Sequence, residues 1–245
     1  MISPPAPSAP RLYADMSLES GLCVPLPAMA ARHVQVLRMQ PGQTVSLFNG
    51  RGGQWRASIT QMGRQQVEVL LQEHTPIERE AQVQVTLLVG IPANERMDFL
   101  VEKATELGVA AIYPLLFERS VIKLNAERSS KKVAHWQAVA VAACEQCGRN
   151  RIPLIHSVTT LPQLLQTQIS DLPSDRRMLS LLNAAAWTAS PANTAVCILS
   201  GPEGGLTPQE EQQLVSLAQF QPYSLGPRTL RADTAPLAAL STLVI

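Results

Sequence analysis

Two stretches in the last quarter of the chain carry the residues best suited to hold a small molecule. Leu199–Glu210 reads LSGPEGGLTPQE, and Ser224–Ala235 reads SLGPRTLRADTA. Each follows a short apolar run and leads into a helix signal. Glycine and proline crowd both connections, and glycine lets a backbone approach a ligand with no Cβ in the way. Two such turns at one end of an α/β domain predict a pocket lined by main-chain groups. Part of the first stretch has a purely structural explanation. Thr207 as N-cap, Pro208 at the first helical position and Glu210 three residues on form a capping box. That box makes no use of the run Gly201-Pro202-Glu203-Gly204-Gly205.

A second set of reactive side chains lies in Ala143–Pro153, ACEQCGRNRIP. Glu145 and Arg149 are four apart at the end of a long helical pattern, so they are expected to share one face. Such a pair is either a surface ion pair or a cation placed to stabilise negative charge. Cys144-x-x-Cys147 has no second close pair, so a zinc ribbon does not fit. The pair ends a helix rather than opening one, which also sets aside a thioredoxin-like motif. Free thiols are expected, for Cys23 and Cys197 as well. His33, His74, His135 and His156 fall outside the motifs and read as surface or packing residues.

Composition limits the classes. The chain has 245 residues, 46% hydrophobic and 16% charged, with a net charge of +1. This fits a globular protein of one large or two small domains. Global charge gives no argument for nucleic acid, although Arg119, Lys123, Arg128, Lys131 and Lys132 lie close together. No apolar run reaches the ~20 residues of a membrane span. The opening MISPPAPSAP lacks the basic and apolar regions of a signal peptide, so residues 1–10 read as a mobile leader and the cytoplasm as the expected compartment.

The elements that must position these residues fall into two groups. Residues 11–75 read as a small β-rich unit. Strands are expected at Gln43–Phe48, Trp55–Gln61 and Val67–Leu71, with a hairpin loop at Asn49–Gly53 and one helix at about Pro27–Met39. A small barrel is expected, followed by a linker at Gln72–Glu80. From Ala81 strands alternate with helices: Val83–Val89, a helix capped by Asn94 and ended by Gly108, Val109–Leu116, and a long helix through Trp136 and Cys144. Then come Ile155–Val158, a helix at Leu161–Ile169, Met178–Leu182 and Ala195–Leu199. This alternation predicts a mostly parallel sheet covered by helices on both faces. Neither G-x-G-x-x-G after the first strand nor a P-loop is present.

In sequence and order, NERMDFLVEKATELGV (94–109), ACEQCGRNRIP, LSGPEGGLTPQE and SLGPRTLRADTA resemble the RsmE family. These are bacterial 16S ribosomal RNA uracil-N3 methyltransferases of the SPOUT superfamily. ARHVQVLRMQPGQTVSLFNG (31–50) resembles the family's N-terminal PUA-like RNA-binding barrel. The resemblance runs nearly end to end. It implies a PUA-like barrel over 11–75 and a SPOUT methyltransferase domain over 76–245 whose C-terminal part threads a trefoil knot, a feature no general rule predicts. It also implies a homodimer, bound S-adenosylmethionine, and 16S ribosomal RNA or the small ribosomal subunit as substrate. By the same resemblance the cofactor residues are Leu199, Ser200, Gly201, Glu203, Gly204, Gly205, Leu225, Gly226, Arg228 and Leu230.

The implied chemistry is methyl transfer from a sulfonium to a ring nitrogen. The cofactor supplies the electrophile, and the protein must align it and manage the N3 proton. Arg149, Glu145, Arg231 and Asp233 are the catalytic candidates, with Arg149 placed to stabilise charge on the uracil oxygens or to hold a phosphate. Asp233 and Glu203 are candidate proton acceptors; Asp233 stands where the family usually has Glu. N3 lies on the Watson–Crick edge, so the target must be unpaired or flipped out. The apolar Leu243-Val244-Ile245 is expected to pack in the knot or at a dimer interface, to which Trp136 would also contribute. Alternatives are another SPOUT enzyme acting on a ribose 2′-hydroxyl or on transfer RNA, or a non-catalytic RNA-binding or ribosome-assembly protein.

Overall fold

The fold comes from a computed structural model, which describes residues 9–64, 66–93, 95–182 and 184–245. Most of the expected leader (residues 1–8) and the expected cap Asn94 lie outside the described residues. The chain forms two compact units. The first takes residues up to Glu80 together with Cys144–Ile152; the second takes Ala81–Ala143 and Pro153–Ile245. The first unit therefore includes Pro76–Glu80 and a late segment that the sequence placed with the larger domain.

The first unit contains β1 (Arg11–Tyr13), β2 (Cys23–Pro25), α1 (Ala28–Val36), β3 (Thr44–Phe48), β4 (Gln54–Met62) and β5 (Val67–Thr75). The sheet order is β1-β3-β4-β5-β2, with β1 parallel to β3 and the other pairs antiparallel. Alternation along the strands sends Val45, Leu47, Ala57, Ile59, Val69 and Leu71 inward, and α1 adds Ala30, Ala31 and Val34 to the same core. No ladder joins β1 to β2 among the described residues, so the barrel is not closed by strand pairing. Gln72–Thr75, expected as linker, continues β5.

The second unit begins with β6 (Gln84–Gly90), α2 (Arg96–Leu107), β7 (Ala111–Leu116) and α3 (Ala126–Cys147), whose last turn belongs to the first unit. There follow β8 (Leu154–Ile155), β9 (Thr159–Thr160), α4 (Leu161–Thr167), β10 (Asp175–Leu179), β11 (Ala185–Ala186) and β12 (Ala195–Ser200). It ends with α5 (Pro208–Ala218), β13 (Gln221–Ser224) and α6 (Thr234–Val244). Every pairing in this sheet is parallel, in the order β11-β13-β10-β12-β6-β7-β8, with β9 also on β7. The central strands are buried on both faces, as continuous apolar runs such as Val196–Leu199 require. Leu88, Tyr113, Leu115 and Leu199 pack with Leu161 and Leu164 of α4 and Leu214 of α5. Residues of opposite parity, such as Leu87 and Ile198, face the side where α6 packs on β6 and β12, and α2 packs on α6. No helix among the described residues is long and apolar enough to cross a membrane.

β13 is inserted between β10 and β11, which follow one another in sequence. A late strand thus separates two strands that are consecutive in the chain. Two expectations shift here. The strand expected at Met178–Leu182 runs instead from Asp175 to Leu179, hidden by its charged start Asp175-Arg176-Arg177. The strand expected at Ile155–Val158 is two short pieces, β8 and β9, both edging β7.

The Cys144–Ile152 segment corrects the sequence reading of Glu145 and Arg149. Helix α3 ends at Cys147, and Gly148 at φ 90 turns the chain out of it. Arg149 is therefore not on the helix and does not share a face with Glu145. Glu145 accepts from Tyr13 N at 2.8 Å and lies 3.8 Å from His33. The Arg149 guanidinium is 4% exposed and grips Glu80 in two places, Nε to Oε1 at 3.2 Å and Nη2 to Oε2 at 2.5 Å. Arg11 donates to Arg149 O and Asn150 Oδ1, and Asn150 donates to Ile77 O. Trp136, expected at a dimer surface, is 1% exposed and makes its indole hydrogen bond to Asp98. Cys144 is buried, which pushes its thiol up to about 12 and leaves it inert.

Two stability measurements follow. Removing one partner of a buried ion pair costs ~3–5 kcal/mol; Glu80 is 26% exposed, so Arg149→Ala is expected to cost less, about 2–3 kcal/mol. Arg149→Lys should also destabilise, because one ammonium cannot reproduce the two-point grip. Urea denaturation checks both; variants with wild-type midpoints would show that the grip carries no stability. The second measurement concerns His156, which stacks on Tyr113 at 3.6 Å and 12°, and whose pKa is lowered by burial against a smaller opposing effect of Asp171. The unfolded chain then takes up this proton at higher pH than the folded one. Stability is full above the ordinary histidine pKa of ~6.5 and falls as pH drops below it. His156→Phe keeps a stacking ring and should flatten the stability profile between about pH 7 and 5 relative to wild type; parallel profiles would remove His156 as the cause.

Candidate active site

Strands β13, β10 and β12 are neighbours and parallel, so their carboxyl ends open on the same edge. In open α/β sheets that edge is where ligands bind. The segments leaving it, 180–182, 201–206 and 225–232, surround a cavity of about 600 Å³. That volume lies within the ~300–1,000 Å³ of cofactor sites. All of its lining residues belong to the second unit. Every expected cofactor residue lines it except Leu199 and Gly204, and Arg231 lines it too. Leu199 is fully buried in the core below. Arg149 and Glu145 do not line it and are held by first-unit partners; Asp233 is not a lining residue either, although Ala232 before it and Ala235 after it are.

The first glycine loop is fastened from three sides. Glu203 accepts from Ala93 N at 2.7 Å and faces Arg96 at 3.8 Å, tying the loop to the segment after β6. Arg119 donates to Gly204 O at 3.3 Å and Leu206 O at 3.1 Å. The capping box forms as expected: Glu210 N bonds Thr207 Oγ1, while Glu210 Oε2 accepts from Thr207 N at 2.8 Å. Its other oxygen accepts from Glu118 N at 2.8 Å, so one buried carboxylate secures both the helix start and the loop after β7. Gly204 thus works by letting Arg119 close on the loop: an added Cβ would meet Arg119 Cβ at 2.9 Å. Gly205 and Gly226 are different. Both have positive φ, and a Cβ on either would meet nothing within 4 Å. They border the open volume with backbone alone.

The second loop ends at Asp233, which takes the N-cap position of α6 without capping it. Its Oδ1 is buried and has no hydrogen-bond partner among the described residues. Arg228 and Arg231 are exposed at the cavity and form no ion pair among the described residues.

Sequence reasoning missed the third wall, Leu179–Leu182, together with Tyr223 and Arg96. Nothing local marks them, since they reach the site only through strand order. It also missed Gly90, the last residue of β6. A Cβ there would collide with Pro202 N and come within 2.8 Å of Gly201 C. The first loop can cross the end of β6 only because that residue has no side chain. Gly90→Ala should displace Gly201–Pro202 and weaken binding of the expected cofactor, S-adenosylmethionine, at least tenfold, about 1.4 kcal/mol or more. Calorimetry reads this directly; unchanged affinity would show that the crossing does not shape the cavity.

Comparison with known proteins accords with this geometry. Residues 79–244 match the RNA methyltransferase domain family and residues 28–72 the RNA methyltransferase PUA domain family. The ribosomal RNA small subunit methyltransferase E of Bacillus subtilis is 32% identical over 86% of this chain and 84% of its own length. The crystal structure of the protein of the same name from Neisseria gonorrhoeae, bound to S-adenosyl methionine, superposes with a TM-score of 0.88. It is 36% identical, over 95% of this chain and 96% of that one. A methyltransferase structure from Legionella pneumophila in complex with bound cofactor SAM is similar at 35% identity, TM-score 0.88, over 95% and 96% of the two chains. Sequence, fold and the placement of both glycine loops lead to one assignment: the chain belongs to the ribosomal RNA small subunit methyltransferase E family of RNA methyltransferases.

Proposed function

We propose that this protein transfers the methyl group of S-adenosylmethionine to N3 of a uridine in 16S ribosomal RNA. The observation that carries the reading is the cavity at the ends of β13, β10 and β12, built by both glycine loops in a chain similar to cofactor-bound methyltransferases. The residues suit the cofactor. Leu179, Leu225 and Leu230 offer apolar walls to a nucleoside, and Gly205 and Gly226 leave backbone polar groups open to it. When bound, the cofactor supplies an electrophilic methyl carbon on a sulfonium.

The remaining work falls to the protein. The fastened 201–206 loop holds its geometry without reorganising, which favours alignment of the reacting atoms. Arg228 and Arg231, without ion-pair partners among the described residues, offer guanidinium groups to the RNA phosphates or to the uracil oxygens that gain charge as N3 loses its proton. Of the two carboxylates considered for that proton, Glu203 is already engaged by Ala93 and Arg96. Asp233 stands beside the lining residues Ala232 and Ala235, and its buried Oδ1 has no hydrogen-bond partner among the described residues, so it is the acceptor we assign. Arg149 and Glu145 act by organising the first unit. The protein works in the cytoplasm as a homodimer. Phe99 on α2, 50% exposed, and Ile245 after α6, 92% exposed, leave apolar surface on a packed helix pair.

The test is reconstitution. Purified protein, S-adenosylmethionine and 30S subunits from cells lacking the protein should yield 3-methyluridine, read by nucleoside mass spectrometry, and Asp233→Asn should lower turnover at least tenfold with cofactor affinity retained. Methylation at a ribose 2′-hydroxyl would replace the N3 assignment. Cofactor binding with no RNA product would overturn the catalytic reading.

A further inference from the structure

The walls of the cavity differ in character. Leu179, Tyr223, Leu225 and Leu230 bring apolar surface from the ends of β10 and β13 and from the loop after β13. The Tyr223 ring is fixed there by the edge of Trp187, 5.7 Å away at 78°, and by the Arg177 guanidinium 5.3 Å from its centre. Both carboxylates that line the cavity come from the other side: Glu203 from the connection after β12, and Glu211 from the first turn of α5. Strand order sets this polarity, because β12 and β13 flank β10 on opposite sides.

The two carboxylates are in different states. Glu203 is engaged by the protein, through Ala93 N at 2.7 Å and Arg96 at 3.8 Å. Glu211 is half-buried, and its main-chain N–H donates to Thr207 O. Its side chain has no ion pair or side-chain hydrogen bond among the described residues. The resemblance to the family does not assign it to the cofactor. A carboxylate partly withdrawn from water gains most from a cation that also donates hydrogen bonds. S-adenosylmethionine carries two cationic groups of different kinds. Its sulfonium has no hydrogen to donate, and its methyl carbon must face the RNA. The α-ammonium of its amino-acid tail has three donors, like the head of a lysine.

We propose that Glu211 is the counter-charge for the α-ammonium of the cofactor's amino-acid tail, with the nucleoside against the apolar wall of β10 and β13. The proposal rests on the reading of the protein as an S-adenosylmethionine-dependent methyltransferase. Three ligands test it by calorimetry on the full chain: S-adenosylmethionine, S-adenosylhomocysteine, which keeps the tail but has no sulfonium, and 5′-methylthioadenosine, which has neither. Glu211→Gln should weaken the first two by about tenfold each, the loss of one charge-assisted hydrogen bond, and leave the third at its wild-type affinity. Glu211→Asp, one methylene shorter, should recover part of the affinity for the two tailed ligands. A loss for S-adenosylmethionine alone would assign the carboxylate to the sulfonium and overturn the proposal. Equal losses for all three would assign Glu211 to the shape of the cavity and also overturn it. A first-turn acid interacts favourably with the helix dipole as well. If that is its whole role, Glu211→Gln lowers the melting temperature and changes none of the affinities, which overturns the proposal and leaves the enzymatic reading standing. If the wild-type protein binds none of the three ligands, the functional reading fails, and the assignment of Glu211 with it.

Discussion

Arg177 is a guanidinium removed from water in the middle of a parallel sheet, 4% exposed. Burying such a charge is costly unless it is paired and its donors are satisfied. Here Asp175, two residues earlier on the same strand, takes two of its donors at 3.0 and 2.8 Å. Thr188 O and Ser190 Oγ take others at 2.6 and 2.5 Å. The plane lies 5.1 Å from the Trp187 ring and 5.3 Å from the Tyr223 ring, within cation–π range. These contacts join β10, the 187–190 segment and β13. The cation thus ties the 187–190 segment and the inserted strand to β10, and with them the order of strand ends that creates the cavity. Trp187 extends the tie to α6 through Thr242 at 2.7 Å.

The cavity inherits its rigidity from that order. Once β13 lies beside β10, the loops leaving β10, β12 and β13 must meet, and their main chains face one volume. Glu203, Arg119 and Glu210 then hold the first loop by charge-assisted hydrogen bonds to main-chain groups, a stronger class than neutral ones. The glycines divide the labour. Gly90 and Gly204 make room for protein against protein, whereas Gly205 and Gly226 border the cavity, where a Cβ would meet only open space. Site and scaffold are therefore hard to separate in this fold: the contacts that set strand order also set the walls.

Much of this was legible locally. The capping box at Thr207 and Glu210, the glycine end of α2, the β-rich first unit and the alternation from Ala81 all depend on residues close in sequence, and each formed as the pattern predicts. Arg149 shows where local reading stops. Its spacing from Glu145 suggested a shared helix face, but one glycine ended the helix, and the partner turned out to be Glu80, sixty-nine residues away. β10 was misplaced for a related reason: a strand opening Asp-Arg-Arg looks like surface until the aromatic partners that bury Arg177 are known.

By itself the sequence determined the secondary-structure grammar, the two glycine loops and, through four motifs in order, the family. Those features are carried by short-range propensity or by direct correspondence of residues. The tertiary structure decided which loops share a cavity, that Leu179–Leu182 line it and Gly90 lets the first loop pass, that Arg149 is a buried clamp, and that Arg228 and Arg231 reach the cavity. Each of these depends on strand order or on a partner distant along the chain, because burial and pairing are properties of neighbours in space.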